Sequence, residues 1–229
     1  MKTLSSLLVA TLALAVISPA RAELSAAAWL ETYYLDPQPA ELPHAIQRLS
    51  REGYFDRAGN IPIAIGFIST IFAQHPERVD AWLVELNGLP LKHQRLIAAS
   101  LWQAGHPLGA ELLPRLAEFQ ADRAAVASLA SKPSTDILDT PVVSPQSMNL
   151  RWGAFLASGD ERHIVAVLEA IGSDIPALGA TAQRALAQDA AAHPRVLEIC
   201  RAQLEREPEE IRSALRAALN DAAPAHPRS

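Results

Sequence analysis

Apolar residues recur at helical spacing along almost the whole chain beyond residue 25, and this pattern limits the fold more than any other feature. Near the C-terminus, for example, Ile211, Leu215 and Leu219 lie four positions apart and would share one face of a helix. We find no convincing alternation of apolar and polar residues of the kind that half-buried strands produce. Hydrophobic residues make up 49% of the chain and aromatic residues only 5%, so Ala, Leu, Ile and Val must form the core. The sequence therefore predicts an all-α protein.

The predicted helices are short and are separated by Pro, Gly and polar turns. Their predicted bounds are 26–35, 41–52, 61–73, 77–86, 90–104, 108–119, 122–130, 150–157, 160–171, 177–192, 194–207 and 209–220. The helix at 61–73 is apolar on all sides, which is typical of a helix buried among others. We expect it to form the centre of the N-terminal core.

The junctions between helices repeat. A His-Pro pair separates two helices at 75–76, 106–107 and 193–194, and Gly159 with Asp160 takes the same place once. Proline is tolerated in the first turn of a helix because its missing N–H would have no intrahelical partner there. Positions 75, 106, 160 and 193 are separated by 31, 54 and 33 residues. Two of these gaps approach the length of a helix-turn-helix repeat, and the third contains an insertion.

This layout resembles α-solenoid repeat proteins of the tetratricopeptide and HEAT kind, in which stacked antiparallel helix pairs bury a continuous core. The resemblance implies an α-solenoid-like array that acts through contacts with other proteins. The chain lacks the tetratricopeptide consensus W-x2-L-G-x2-Y, so no ligand-binding residue is carried over from that family.

The insertion, residues 131–147, contains three prolines and many Ser and Thr residues, a composition that does not favour a regular helix. We interpret it as a loop or hinge between an N-terminal helical lobe (23–130) and a C-terminal lobe (148–221), followed by a flexible tail (222–229). Loops of this length inside compact domains often carry function. The segment is therefore either a plain connection or the border of a binding groove.

The first 22 residues have the order of a Sec-type signal peptide: Lys2 near the start, an apolar run over 4–17, and the small residues Ala20 and Ala22 in an A-x-A cleavage site. A retained membrane anchor is disfavoured because a bilayer takes about 20 apolar residues to span. We expect cleavage after Ala22, no transmembrane segment in the mature chain, and a periplasmic or secreted location in a bacterium.

Charge disfavours two classes of partner. The whole chain has a formal charge of −5, and loss of Lys2 and Arg21 with the leader would make it −7. Nucleic acids and anionic membranes are bound mainly through Lys and Arg. We therefore expect neither as a partner.

Cys200 is the only cysteine, so no intrachain disulfide can form. It shares a predicted helical face with Leu197 and Leu204. A reactive thiol would need a neighbouring base or a helix N-terminus to lower its pKa. We interpret Cys200 as a small buried hydrophobic residue.

The histidines raise the question of a metal site. Zinc ligands must converge within about 2 Å of one ion, and helical zinc sites usually show an i, i+4 pair. His75, His106, His193 and His226 lie in separate junctions or the tail, so we interpret them as helix-end residues that precede proline. The remaining three, His44, His93 and His163, lie on predicted helices among charged residues and are interpreted as solvated.

The sequence contains none of the local motifs of catalysis that we sought. G-x-S-x-G, G-x-x-x-x-G-K and G-x-G-x-x-G are absent. Carboxylate pairs such as Glu209 with Glu210 stand at helix starts, where the helix dipole favours acids. A pair of catalytic carboxylates stays open because their separation in space, which the sequence does not give, decides that chemistry. We expect no cofactor. We also expect a binding protein more than an enzyme.

Four aromatic residues near the N-terminus, Trp29, Tyr33, Tyr34 and Tyr54, form a possible partner-binding surface. Trp29 and Tyr33 share a helical face at i, i+4, a spacing that is also typical of core residues. Tyr and Trp are common in recognition surfaces because a large apolar body carries a polar group. Both interpretations stay open at this point.

The leading functional hypothesis is an exported helical-repeat protein that acts as an interaction or adaptor module for another envelope or secreted protein. One alternative is an exported hydrolase with a site in a cleft beside residues 131–147. Another is a binder of a small hydrophobic ligand, which would need an enclosed apolar cavity between the lobes.

Overall fold

The structure, a computed structural model, describes residues 25–117 and 120–222, and all regular structure in these ranges is helical. The predicted signal peptide (1–22) and residues 223–229 of the predicted tail lie outside them. Twelve α-helices are described: α1 (Ala26–Thr32), α2 (Leu42–Arg51), α3 (Asn60–Gln74), α4 (Val79–Leu86), α5 (Leu91–Gln103), α6 (Pro107–Arg115), α7 (Gln120–Ala130), α8 (Pro145–Ser158), α9 (Glu161–Glu169), α10 (Pro176–Ala192), α11 (Pro194–Gln203) and α12 (Glu209–Ala222). The predicted all-α class is confirmed.

The junction residues act as the sequence indicated. Pro107 and Pro194 occupy the first positions of α6 and α11, whereas Pro76 begins a 3-10 turn, Pro76–Arg78, that leads into α4. Gly159 ends α8 in the left-handed conformation, with φ of 68°, and the Asp160 carboxylate caps α9 by accepting the backbone N–H of Arg162. Proline and glycine therefore set these helix boundaries through local backbone chemistry.

Helix α3 lies in the core, as predicted for residues 61–73. Phe67, Ile68, Ile71 and Phe72 are almost completely buried. One cluster of buried apolar side chains runs from Ala26 in α1 to Leu215 in α12. The two lobes predicted on either side of residues 131–147 thus share a single core.

Helices α3 and α8 pack backbone to backbone. A Cβ atom on Gly66 of α3 would overlap the carbonyl oxygen of Leu150 in α8, and a Cβ on Gly153 of α8 would overlap that of Ile63 in α3. Four helices separate this pair along the chain. In a strictly linear repeat array each unit contacts only its neighbours. A contact between helices this far apart in the sequence is therefore not expected of such an array.

Among the helix boundaries that differ from the predictions, two have a local explanation. Residues 145–147 belong to α8 rather than to the loop, because Pro145 occupies the first position and the Ser144 and Ser147 side chains form a reciprocal capping box. Helix α6 ends at Arg115, one residue after the internal Pro114, whereas the prediction extended to Phe119, which lies outside the described residues. Proline inside a helix weakens its continuation because it lacks a donor.

Two sequence interpretations concern burial. Cys200 is fully buried, as predicted, and burial raises the pKa of its thiol to about 12. The interpretation of His93 and His163 as solvated is wrong, since only 3% and 4% of their surfaces are exposed. His44, by contrast, has an exposed side chain.

Across the two described ranges, no helix combines the length and apolar character that crossing a membrane requires.

Candidate functional site

A polar cleft of about 440 Å3 lies where α3 and α5 end, beside the first part of the 131–147 segment and the α8–α9 junction. The residues that line it lie in or next to α3, α5, the 131–147 segment, α8 and α9, and they are Ser69, Thr70, Ala73, Gln74, Gln103, Ala104, Ser134, Asp136, Ile137, Leu138, Ser158, Asp160, Arg162 and His163. We call this the loop cleft. The sequence had indicated the 131–147 segment as a possible border of a groove, and the structure brings it together with α3, α5, α8 and α9.

Hydrogen bonds hold the loop wall of this cleft against the helices. The Trp102 indole N–H donates to the carbonyl of Lys132 at 3.3 Å, and the Gln103 side-chain amide donates to that of Thr135 at 2.8 Å. From the other side, the buried Arg151 guanidinium donates to the carbonyls of Leu138 at 2.9 Å and Thr140 at 2.6 Å. Donors from α5 and α8 thus fix the backbone of the segment at four points.

A charged pair stands at one end of the loop cleft. The Arg162 guanidinium donates from Nε and Nη2 to Asp160 Oδ2, at 3.0 and 2.6 Å. These hydrogen bonds lower the pKa of Asp160 below its ordinary value. Because the two charges of the pair neutralise each other, the pair offers a ligand hydrogen-bonding groups but little net charge.

His163 lies in the wall of the cleft and is neutral at physiological pH. Burial, reinforced by the nearby positive charge of Arg151, lowers its pKa from 6.5 to about 4. Its Nδ1 atom and the Nε atom of Arg151 are buried and have no partner among the described protein atoms. Buried polar atoms normally have partners, so these two atoms are exceptions to that rule.

The remaining polar groups of the cleft are hydroxyls and carboxamides. The Ser69 and Thr70 hydroxyls donate to the carbonyl of Gly66, and the oxygens of such hydroxyls can still accept. Gln74 is exposed, and its side chain carries both donor and acceptor groups. This combination suits hydrogen bonding to an uncharged polar ligand, including a peptide backbone.

A second cluster joins the end of α2, the 3-10 turn Tyr54–Asp56 and the start of α5. The Ser50 hydroxyl lies 2.7 Å from Nδ1 of His93, and Nε2 of His93 lies 3.2 Å from Oδ1 of Asp56. The Lys92 ammonium also donates to Asp56 Oδ1. The hydrogen bonds from Lys92 and His93 lower the pKa of the Asp56 carboxyl group. A hydroxyl, an imidazole and a carboxylate are therefore connected in series.

Sequence reasoning missed this second cluster. Its members are separated along the chain by 43 residues, from Ser50 to His93, and by 37 residues, from Asp56 to His93. One signal was available: His93 lies on the same helical stripe as Leu96, Ile97 and Ser100, all of which are buried. The stripe would have predicted the burial of His93 but not its partners.

The four aromatic residues proposed as a partner surface fall into different environments. Tyr33 is only 2% exposed, and its ring packs against Trp29 and Phe67 with centroids 5.1 and 5.2 Å apart. Tyr34 is partly buried against Phe155, and Tyr54 is partly buried with its pKa raised to about 12, mainly by burial. Tyr33 thus belongs to the core, while Trp29, Tyr34 and Tyr54 each retain some exposed surface.

His193, one of the junction histidines, is buried between rings. Its centroid lies 5.0 Å from that of Trp152 and 6.1 Å from that of Tyr34, and burial lowers its pKa. Nearby on α10, the partly buried Asp189 has its pKa raised to about 7, by burial first and by the charge of Glu31 second. In this region burial therefore favours the neutral forms of both Asp189 and His193.

A small apolar groove of about 200 Å3 lies between α4, α5 and α6. Its lining comprises Leu83, Leu86, Asn87, Gln94, Ile97, Ala98, Leu112 and Leu116. All three helices belong to the N-terminal half of the chain, so this groove is a different place from the cavity between lobes that a hydrophobic-ligand binder would need.

Of the histidines that precede proline, His226 lies outside the described residues. In the part of the chain that the structure describes, no group of three or more His, Cys, Asp or Glu residues is placed to hold a metal ion. Comparison with protein families, with curated proteins and with solved structures finds no match for this chain.

Proposed function

We propose that this protein is an exported helical protein that binds another protein of the cell envelope, and that the loop cleft receives a polar, extended segment of that partner. The observation that carries the proposal is the cleft itself, whose loop wall is tied down by Trp102, Gln103 and Arg151.

The size and chemistry of the cleft support this proposal. Its volume of about 440 Å3 falls within the roughly 300–1,000 Å3 that is usual for ligand sites. Carboxamides and hydroxyls such as those of Gln74, Gln103 and Ser134 can pair with both the N–H and C=O groups of an extended peptide. A wall that is already fixed needs little ordering on binding, which favours affinity.

The proposed architecture is a solenoid-like arrangement of antiparallel helix pairs, modified by one long-range contact. The proline junctions before α6 and α11 and the Gly159–Asp160 junction before α9 favour this interpretation. The α3–α8 pairing would then close two short arrays into one body, with the 131–147 segment between them.

Export is proposed from the order of residues 1–22. Fractionation of producing cells, followed by N-terminal sequencing of the purified protein, tests it. We expect the envelope or extracellular fraction to contain a chain that begins at Glu23. Recovery of an intact Met1 terminus from the cytoplasm would contradict the proposal.

Site-specific photo-crosslinking tests the binding role of the cleft. A benzoylphenylalanine at position 74, inside the cleft, should capture a defined envelope protein, whereas the same residue at position 84, exposed on α4, should not. Capture at both positions, or at neither, would count against the proposal.

The captured partner, once purified, allows a quantitative test. We expect Gln103→Ala to weaken its binding about tenfold or more, because one or two hydrogen bonds would be lost. Gln188→Ala, at an exposed position on α10, is the matched control and should bind like the wild type. Equal affinity for all three proteins would overturn the assignment of the cleft.

A further inference from the structure

We propose that Ser50 is a nucleophile activated by His93 and Asp56, and that these three residues form a serine-esterase site at the opposite end of α5 from the loop cleft. His93 is the third residue of α5 and Gln103, in the cleft, is the last. Ten residues of helix separate them, which is about 15 Å along the axis. The proposal therefore concerns a second site and does not depend on what the cleft binds.

The distances are those of a nucleophile and its base. Ser50 Oγ lies 2.7 Å from His93 Nδ1, within the roughly 2.6–3.2 Å over which a general base takes a proton. Asp56 Oδ1 lies 3.2 Å from the other ring nitrogen, Nε2. A base that is itself oriented by a third group is the arrangement that identifies such triads, whatever the order of the residues in the sequence.

The protonation states follow from the neighbours. Asp56 is paired with Lys92, so its carboxylate is ionised and can only accept hydrogen bonds. It therefore favours the tautomer of His93 that carries its proton on Nε2. Nδ1 is then left with a lone pair that accepts the Ser50 hydroxyl. The two ring nitrogens have exchanged the roles that they most often hold in serine hydrolases, and in this tautomer Nδ1 is the nitrogen that can accept a proton.

The surroundings hold the imidazole in place. The His93 ring packs edge-on against Phe55, with centroids 5.3 Å apart, and only 3% of the residue is exposed. Ser50 lies in the last turn of α2 and is partly exposed. The base is thus fixed and shielded, while the residue that carries the hydroxyl lies partly at the surface.

The proposed reaction is ester hydrolysis in two steps. In the first, Ser50 Oγ bonds to the carbonyl carbon of the ester, its proton passes to His93 Nδ1, and the bond to the alkoxy oxygen breaks as that oxygen takes the proton and leaves as an alcohol. In the second, water attacks the acyl carbon and gives a proton to His93 Nδ1, the bond from that carbon to Ser50 Oγ breaks, and Oγ takes the proton from His93, which releases the carboxylic acid and free Ser50. The proposed substrate class is carboxylic esters whose carbonyl carbon can reach the partly exposed Ser50.

Labelling with diisopropyl fluorophosphate tests the nucleophile directly. Attack by Ser50 forms an oxygen–phosphorus bond and expels fluoride, and digestion after glutamate residues releases residues 42–52, in which Ser50 is the only hydroxyl-bearing residue. We expect stoichiometric modification of that peptide in the mature wild-type protein, and none at Ser213, an exposed serine on α12. An unmodified 42–52 peptide under conditions that fully label a known serine hydrolase would overturn the proposal, as would equal modification of Ser213.

Variants distinguish activation of Ser50 by His93 from simple accessibility of the Ser50 hydroxyl. His93→Gln should slow labelling of Ser50 by about 100-fold or more, because general-base assistance is lost, and Ser50→Ala should abolish it. Ser213→Ala should change nothing. Circular dichroism and thermal unfolding of each variant establish that it is folded. A folded His93→Gln protein that is labelled at the wild-type rate would show that Ser50 is not activated.

Turnover of p-nitrophenyl acetate tests the second step. We expect a burst of one equivalent of p-nitrophenol per chain, followed by steady release that Ser50→Ala removes. An acetyl group that stays on the 42–52 peptide for hours would show that the acyl-serine is not hydrolysed, and it would overturn the proposed esterase activity. Binding of the captured envelope partner should be unchanged in Ser50→Ala, so failure of this site and failure of the cleft proposal can be told apart.

Discussion

Gly66 on α3 and Gly153 on α8 lie where these two helices touch backbone to backbone. Each glycine faces a carbonyl oxygen of the other helix, so neither position has room for a methyl group. This contact joins the segments before and after residues 131–147 and places the C-terminal end of α3 beside the α8–α9 junction, where both helices line the loop cleft. The cleft therefore depends on a close approach that only glycine allows.

Substitution at this crossing should destabilise the whole protein. The Cβ of Gly66→Ala would collide with main-chain atoms of α8, which cannot rotate away, so the helices must separate. We expect the free energy of unfolding to fall by about 3 kcal/mol or more, measured by chemical denaturation. Gly59→Ala is the control, since a Cβ there meets nothing within 4 Å, and a loss of stability equal to that of Gly66→Ala would contradict the explanation.

His163 should make stability depend on pH. Its pKa is about 4 in the folded protein and 6.5 in the reference state, so the unfolded chain binds more protons between these values. The contribution is complete above pH 6.5 and is lost as the pH falls through 4, by up to about 3 kcal/mol in all.

His163→Gln should remove this part of the dependence. Unfolding free energies of wild type and variant, measured between pH 7.5 and 4, should differ by an amount that shrinks as the pH falls. The same substitution at the exposed His44 should leave the slope unchanged. Parallel curves for wild type and His163→Gln would show that His163 is not held neutral by burial.

Asp189 should act in the opposite direction. Its folded pKa of about 7 lies above the reference value of 3.8, so the folded state binds the extra proton. Its contribution is fully present below pH 3.8 and is lost as the pH rises through 7. Asp189→Asn should therefore gain stability relative to wild type as the pH rises from 4 to 8. Asp174→Asn, at an exposed position, should show no such trend, and a flat difference for Asp189→Asn would refute the shift.

Arg151 should control the loop wall of the cleft. Arg151→Met removes the donors to the Leu138 and Thr140 carbonyls, which leaves these groups without their partner. We expect amide hydrogen exchange over residues 136–141 to accelerate about tenfold or more, since each lost hydrogen bond to a charged group is worth about 1.5–3 kcal/mol. The exposed Arg123→Met on α7 is the control. Unchanged exchange in Arg151→Met would mean that other contacts hold the loop.

The outcome for the histidines shows where sequence reasoning succeeds and where it stops. The His-Pro junctions predicted the starts of α6 and α11 correctly, because proline affects its own turn and needs no distant partner. The solvated positions predicted for His93 and His163 are wrong because charged neighbours in sequence need not be neighbours in space. On a helix, residues adjacent in sequence face different directions, and both rings point into the protein.

By itself, the sequence determined the all-α class, the positions of most helices and the burial of Cys200, since these follow from apolar period, capping residues and proline, all of which act within one or two turns. The leader peptide stays a prediction. Only the tertiary structure decided that α3 meets α8, that the 131–147 segment closes a polar cleft, and that Ser50, Asp56 and His93 come together. These contacts join residues tens of positions apart, and the complementarity of two surfaces, which no local pattern encodes, selects them.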